Sequence, residues 1–290
     1  MPSEPEPRPG ENTYVLDTES ATEQVRILHQ DRMATKCMGG PLNELEKSRI
    51  EQMQSILDLA CGPGAWVLDI AYEYPNTLVT GVDISRSMIA YGEALAREQN
   101  LHNAAFQVMN VMEPLAFPDD SFDLVNARAM FGFLSRADWP KLVKECMRIL
   151  KPGGILRLTE IEYGITNGPA TEKLSGLFLK ALSVTGRSFS PDGRALGITP
   201  MLAYFMHQAG FEQIHKIPHL IDASFGSEDH GAQFQNVALA TQGLQPFLTK
   251  LSLITNEDFE QTYQQSLDEM QAEDFCSLWY FLTVWGQKPA

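Results

Sequence analysis

Positive charge is what this chain has least of. Lys and Arg number 22 against 37 Asp and Glu, a formal net charge of −15 at pH 7. Nucleic-acid phosphates are held by clustered basic side chains, so this balance argues against an RNA or DNA partner. It leaves a neutral or cationic small molecule as the better match to the field of the protein. Cysteine is sparse as well. Cys37, Cys61, Cys146 and Cys276 stand far apart with no CxxC or other metal-ligand spacing. They read as free thiols in a reducing compartment, and no metal is expected. No run reaches the ~18 apolar residues of a membrane span. The opening MPSEPEPRPGEN holds no apolar stretch of the secretory kind, and its Pro and Glu content predicts a disordered tail over residues 1–12. A cytoplasmic protein is the expectation.

What is present suits a soluble domain with a substantial core: 44% of residues are hydrophobic and 20% charged. Ser20 with Glu23 three residues on forms a capping box and predicts a helix from about 20 to 33. Strands at 55–61, 77–84, 104–111, 122–130 and 155–163 then alternate with amphipathic helices, the pattern of a parallel sheet covered on both faces. Ligands bind such sheets beyond the carboxyl ends of the strands. After residue 164 the regularity breaks. A helix is followed by a Gly/Pro-rich loop, GRSFSPDG, read as mobile. Thr199 caps a second helix, with Pro200 at its first position and Gly210 as its stop. A strand at 211–222, an irregular helical stretch over 230–272 and a final apolar strand complete the chain.

Two signatures carry chemistry. In ILDLACGPGAWVLDIA (56–71) a buried strand containing Asp58 runs into a Gly62-Pro63-Gly64 turn and then a helix. Glycine there permits a tight turn and close approach of a ligand to the backbone. Asp83 ends the next strand, where a carboxylate can accept both hydroxyls of a ribose. Capping of the following helix is its other reading, with Ser85 competing for that role. A dinucleotide dehydrogenase would need G-x-G-x-x-G, and Val67 stands at the third glycine.

With LDLACGPG, GVDIS, FPDDSFDLV and ILKPGGIL in this order, the sequence resembles the class I S-adenosylmethionine-dependent methyltransferases, closely over about 50–163 and more loosely in the last strand. The resemblance implies an α/β fold: a Rossmann-like, doubly wound, seven-stranded, mostly parallel sheet with an antiparallel last strand, plus helical cap and insertions. It divides the chain into a helical cap (13–50), a cofactor-binding core (51–164), a helical insertion (165–205), a core strand region (206–225), a helical lid insertion (226–272) and the final strand (273–290).

The same resemblance implies S-adenosylmethionine as cofactor and S-adenosylhomocysteine as product. Asp58, Ala60, Cys61, Gly62 and Gly64 would meet its methionine part, and Asp83 its ribose. Ile84 and Met88 would pack on the adenine, and Asn110 and Val111 would grip its amino end. Arg128 faces the same cleft. Ala60 stands where the family often has glycine, and Asn110 where many relatives have aspartate. Tyr14 and Gln30 are lid candidates; Phe131, Phe133 and Arg187 are substrate-pocket candidates. Methyl transfer from a sulfonium is an in-line displacement that needs alignment more than acid–base groups, so no catalytic residue is assigned. His219, His230 and His29 are the candidate bases if one is required.

The expected activity is methylation of N, O or C on a small, fairly apolar, optionally cationic molecule of secondary metabolism. The partners expected are that substrate and, as an option, a second copy of the chain; neither a nucleic acid nor a membrane is expected. The alternatives are a protein side-chain methyltransferase and a protein of this fold that binds the cofactor without transfer.

Overall fold

Ile56, Leu57 and Leu59 are fully buried, as a strand covered on both faces requires. In the computed structural model, which describes residues 14–290, they lie in a seven-stranded sheet. The tail expected over 1–12 lies outside the described residues. The strands are β1 (Ser55–Leu59), β2 (Leu78–Asp83), β3 (Ala104–Val108), β4 (Phe122–Arg128), β5 (Leu150–Thr166), β6 (Glu212–Asp222) and β7 (Ser277–Gln287), in the spatial order β3-β2-β1-β4-β5-β7-β6. β1 to β5 pair in parallel, while β7 runs antiparallel to both β5 and β6. The sheet is the Rossmann-like one expected.

The helices are α1 (Ala21–Cys37), α2 (Lys47–Ile50), α3 (Ala65–Glu73), α4 (Arg86–Glu98), α5 (Trp139–Ile149), α6 (Pro169–Val184), α7 (Thr199–Ala209), α8 (His230–Lys250) and α9 (Asn256–Met270). Alternation along the strands sends side chains to two cores. Ile56, Val79, Leu124 and Ile155 meet Trp66, Val67 and Ile70 of α3 on one face. Leu57, Val125 and Leu156 meet Trp139, Leu142 and Val143 of α5 and Phe205 and Met206 of α7 on the other. α1 packs on α8, and α6, α8 and α9 pack on one another, so helices from both ends of the chain meet beside the strand ends.

Four local expectations are corrected. Ser20 precedes α1 but its side chain makes no capping bond, because Glu23 is turned inward to Arg26 instead of back to the cap. Thr199 does not cap α7 either: Ile198 holds that position, and the Thr199 hydroxyl donates to Glu162 Oε1 at 2.9 Å. β3 stops at Val108, since Asn110 Oδ1 accepts the Met112 N–H and turns the chain away. β4 likewise stops at Arg128, before a left-handed Ala129 and a short 3-10 turn over Met130–Gly132.

Candidate functional site

The turn after β1 is stitched to the end of β2. Cys61 N–H donates to Val82 O and Gly62 N–H to Asp83 Oδ2, both at 2.9 Å. Asp83 Oδ1 accepts the Ser85 N–H at 2.9 Å, and Ser85 Oγ in turn caps α4 by accepting the Met88 N–H. Ser85, and not Asp83, is thus the cap of this helix, while Asp83 holds the Ser85 backbone. Asp83 organises the turn and, at 9% exposure, still fronts a cleft. Burial raises its pKa, opposed by the backbone N–H groups it accepts.

That cleft has two arms. One, of about 120 Å³, is lined by Asp83, Ile84, Met88, Asn110, Val111 and Phe133, with Tyr14, Met109 and Met112. The other, of about 90 Å³, is lined by Asp58, Cys61, Thr159 and Ile161. Ile27, Gln30, Ala60, Gly62, Arg128 and Ala129 belong to both. The structure thus brings together all but one of the residues expected to hold the cofactor. The exception is Gly64. A Cβ on Gly64 would fall 2.3 Å from Phe106 Cε1, so this glycine makes room for a core phenylalanine and does not face the cleft. A Cβ on Gly62 would meet only Ile27 Cγ2, at 3.3 Å.

Two separate sets of bonds hold the charged residues of the second arm. Asp58 accepts the Asn126 amide at 2.7 Å, Asn126 Oδ1 accepts Arg157 Nη1 at 2.8 Å, and Arg157 pairs with Glu44. Burial pushes the Asp58 carboxyl up to about 7 against the pull of Arg128 and Asn126. Arg128 pairs with Asp31 of α1, donates to Thr35 Oγ1 at 3.0 Å and lies over Trp66, 5.9 Å from the ring centroid. Asp31 escaped the sequence reading because only the fold brings α1 to the end of β4. Cys61 is held well above its usual pKa by burial, so its thiol stays protonated.

Beyond Gln30 and Ala129, which line it as well, lies a third space of about 100 Å³. Phe131, Tyr163, Phe178, Trp279 and Phe281 wall it with rings; Arg26, Gln30, Gln233 and Asn236 form a polar side. Tyr14 lines both this cavity and the first arm, its ring seated against Gly132, where a Cβ would come 2.8 Å from Tyr14 Cε2. Phe131 and Phe133 thus divide between the cavity and the first arm. Sequence reasoning missed most of this wall. The available signal was the alternation Ile161, Tyr163 in β5 and Trp279, Phe281 in β7, which aligns the side chains on one face of the sheet without saying what that face meets.

Arg187 and the three histidines lie elsewhere. Arg187 Nη1 donates to Gly132 O at 2.8 Å, and its guanidinium lies over Phe247. The loop expected to be mobile is pinned, with Ser188 buried and its hydroxyl donating to Ala195 O. His219 bonds Thr283 Oγ1, and burial lowers its pKa. His230 Nδ1 meets Ala223 O among Phe225, Phe234 and Phe275. His29 lines an outer groove between α1 and α8. No histidine lines the cleft or the cavity among the described residues.

The methyltransferase-domain family matches residues 56–154. Demethylmenaquinone methyltransferase of Listeria monocytogenes serotype 4b is 31% identical over 188 residues, 61% of this chain and 77% of that protein. Among solved structures, the [4+2]-cyclase SpnF superposes with a TM-score of 0.53 at 18% identity, covering 97% of this chain and all of that one. The YcgJ protein of Bacillus subtilis gives 0.50 at 20% identity, covering 82% of this chain and 92% of the other. These two are likenesses of fold alone.

Proposed function

The chain belongs to the class I S-adenosylmethionine-dependent methyltransferases, and from that premise we propose that it methylates a ring-bearing, mostly apolar small molecule held in the aromatic-walled cavity. The observation that carries this reading is that the cavity adjoins the cleft, with Tyr14, Gln30 and Ala129 lining both.

The residues of the cleft fit the cofactor. Asp83 keeps lone pairs for two ribose hydroxyls beyond the backbone bonds it accepts. Ile84, Met88 and Val111 supply an apolar slot for an adenine. Asp58 and the Ala60–Gly62 backbone line the other arm and would meet the amino-acid end. When bound, the cofactor supplies an activated methyl on a sulfonium. Tyr14, at the junction, would set an aromatic face toward that cation.

The titratable groups lining the cavity, among the described residues, are Tyr14, Arg26 and Tyr163. Burial pushes both tyrosines up to about 12, so neither is ionised at neutral pH. The chain's contribution is then positioning and exclusion of water, worth ~7–11 kcal/mol when a nucleophile is well aligned. The acceptor must be nucleophilic without a protein base. A ring-walled cavity of this size also suits a metabolite better than an extended peptide.

The test incubates the full chain with trideuteromethyl S-adenosylmethionine and demethylmenaquinone, the named substrate of the Listeria relatives, alongside an extract of its own cells. A low-mass product carrying the label, formed one-for-one with S-adenosylhomocysteine, is the expected result. Label confined to proteins would overturn the reading. So would a low-mass product formed without consuming the cofactor, the pattern of a protein that binds it without transfer.

A further inference from the structure

We infer that the polar side of this cavity is a hydrogen-bond donor wall. It selects substrates that present an accepting oxygen, a carbonyl or carboxylate, to Gln233 and Tyr163 and rejects those that present an amine. The inference rests on the reading of the cavity as the acceptor site.

The wall is organised by Arg26, which is buried. Its Nε and Nη2 donate to Glu23 at 2.7 and 2.6 Å. Its Nη1 donates to Gln30 Oε1 at 2.5 Å and to Asn236 Oδ1 at 2.7 Å. A guanidinium has donors and no acceptor, so both carboxamides must turn their carbonyls to it and their NH₂ ends away. Asn236 Nδ2 then donates to Gln233 Oε1 at 3.2 Å, which fixes the third carboxamide in the same sense. One cation thereby orients three amides.

The consequence is a set of donors without protein partners. Gln30 Nε2, Gln233 Nε2 and the Tyr163 hydroxyl have no hydrogen-bond partner among the described residues, and all three side chains line the cavity. Gln233 is 4% exposed and its side chain lines the cavity, so its amide hydrogens are left for whatever the cavity holds. The Tyr163 hydroxyl stays protonated well past neutral pH. The acid of the cluster, Glu23, is not free to receive a cation. Arg26 binds both of its oxygens, and the Tyr14 hydroxyl approaches Oε1 at 3.5 Å. An ammonium entering here would meet carboxamide N–H groups and a guanidinium, with the Tyr163 hydroxyl oxygen left to accept from it. Of the neutral and cationic substrates that the net charge allows, this wall favours the neutral ones.

The test uses three molecules of one shape: ethylbenzene, acetophenone and 1-phenylethylamine, the last a cation at neutral pH. Each is titrated by calorimetry into the full chain saturated with S-adenosylhomocysteine. Acetophenone is expected to bind about five- to tenfold tighter than ethylbenzene, one or two hydrogen bonds' worth, with the amine weakest. Gln233→Glu keeps an acceptor for Asn236 and replaces the unpartnered NH₂ by oxygen. It is expected to erase the acetophenone preference and raise the amine to at least parity. Gln233→Leu removes the donors without replacement and is expected to bring acetophenone down to the level of ethylbenzene. Retained S-adenosylhomocysteine binding certifies that each variant is folded. If acetophenone shows no preference, or both variants leave the order intact, the donor wall is overturned while the cavity keeps its role. If none of the three binds, the cavity reading falls and the inference with it.

Discussion

Asp83 Oδ2 accepts the N–H of Gly62 at 2.9 Å, so the carboxylate at the end of one strand fixes the turn that follows its neighbour. Its other oxygen holds the Ser85 N–H that opens α4. Removing it takes away the proposed ribose anchor and the geometry of the amino-acid arm together. Asp83→Ala is expected to weaken S-adenosylhomocysteine binding at least about 100-fold, the loss of two charge-assisted hydrogen bonds. Calorimetry reads this directly. An affinity within threefold of the unmutated chain would remove Asp83 from the site.

The two glycines of the turn are expected to fail differently. Gly64 has φ +80°, and a Cβ there would press into the Phe106 ring. Gly64→Ala therefore combines left-handed strain with overpacking, together about 2–4 kcal/mol of stability. Gly62 has φ +54° and only Ile27 nearby, so Gly62→Ala costs about 1–2 kcal/mol of strain but puts a methyl into the cleft. Denaturant midpoints and S-adenosylhomocysteine titrations should separate them. The first variant loses mainly stability; the second loses mainly affinity.

That difference also marks how far the sequence could be read. The strand, the turn, Asp58 and Asp83 are legible because their roles depend on backbone geometry within a few residues. Gly64 was not separable from Gly62, because its neighbour Phe106 arrives from another strand. Arg128 was visible as a strand-end cation, but its partner Asp31 comes from a helix laid across the sheet. The aromatic-walled cavity was least legible. Its wall joins Tyr163, Trp279 and Gln233, and period-two or helical spacing places each on a face without identifying what covers it. The histidines misled for the same reason. His219 and His230 lie near a strand end in sequence, yet they are occupied by Thr283 and Ala223.

Ala60 tests the departure from the glycine often found in this family. It has φ +51°, in the left-handed region where a Cβ crowds the following carbonyl. Ala60→Gly relieves that contact, offset in part by the greater freedom of glycine in the unfolded chain. A net gain of about 0.5–1 kcal/mol is expected. A lower denaturant midpoint for the variant would mean that the methyl contributes packing at the cleft that outweighs the strain.

Glu160 sets a pH dependence whose sign can be worked out. Its Oε1 accepts the Met130 N–H at 2.6 Å beneath the turn that leads to the cavity, while Oε2 is buried without a partner among the described residues. Burial pushes the carboxyl up to about 8 from the ordinary 4.5. Between those values the folded chain holds a proton that the unfolded chain has released, so this group's contribution to stability falls as pH rises through the window. Asp58, raised to about 7, acts in the same direction over a shorter range. His219, lowered by burial, opposes both below about pH 6.5. The difference between Glu160→Gln and the unmutated chain isolates Glu160, because the other groups cancel. That difference should be smallest at pH 5 and grow in favour of the variant by up to ~1.4 kcal/mol per pH unit toward pH 8. Urea unfolding at pH 5, 6.5 and 8 measures it. A difference that stays constant with pH would mean that Glu160 is ionised in the folded chain across the range, and that the Met130 turn rests on a charged carboxylate.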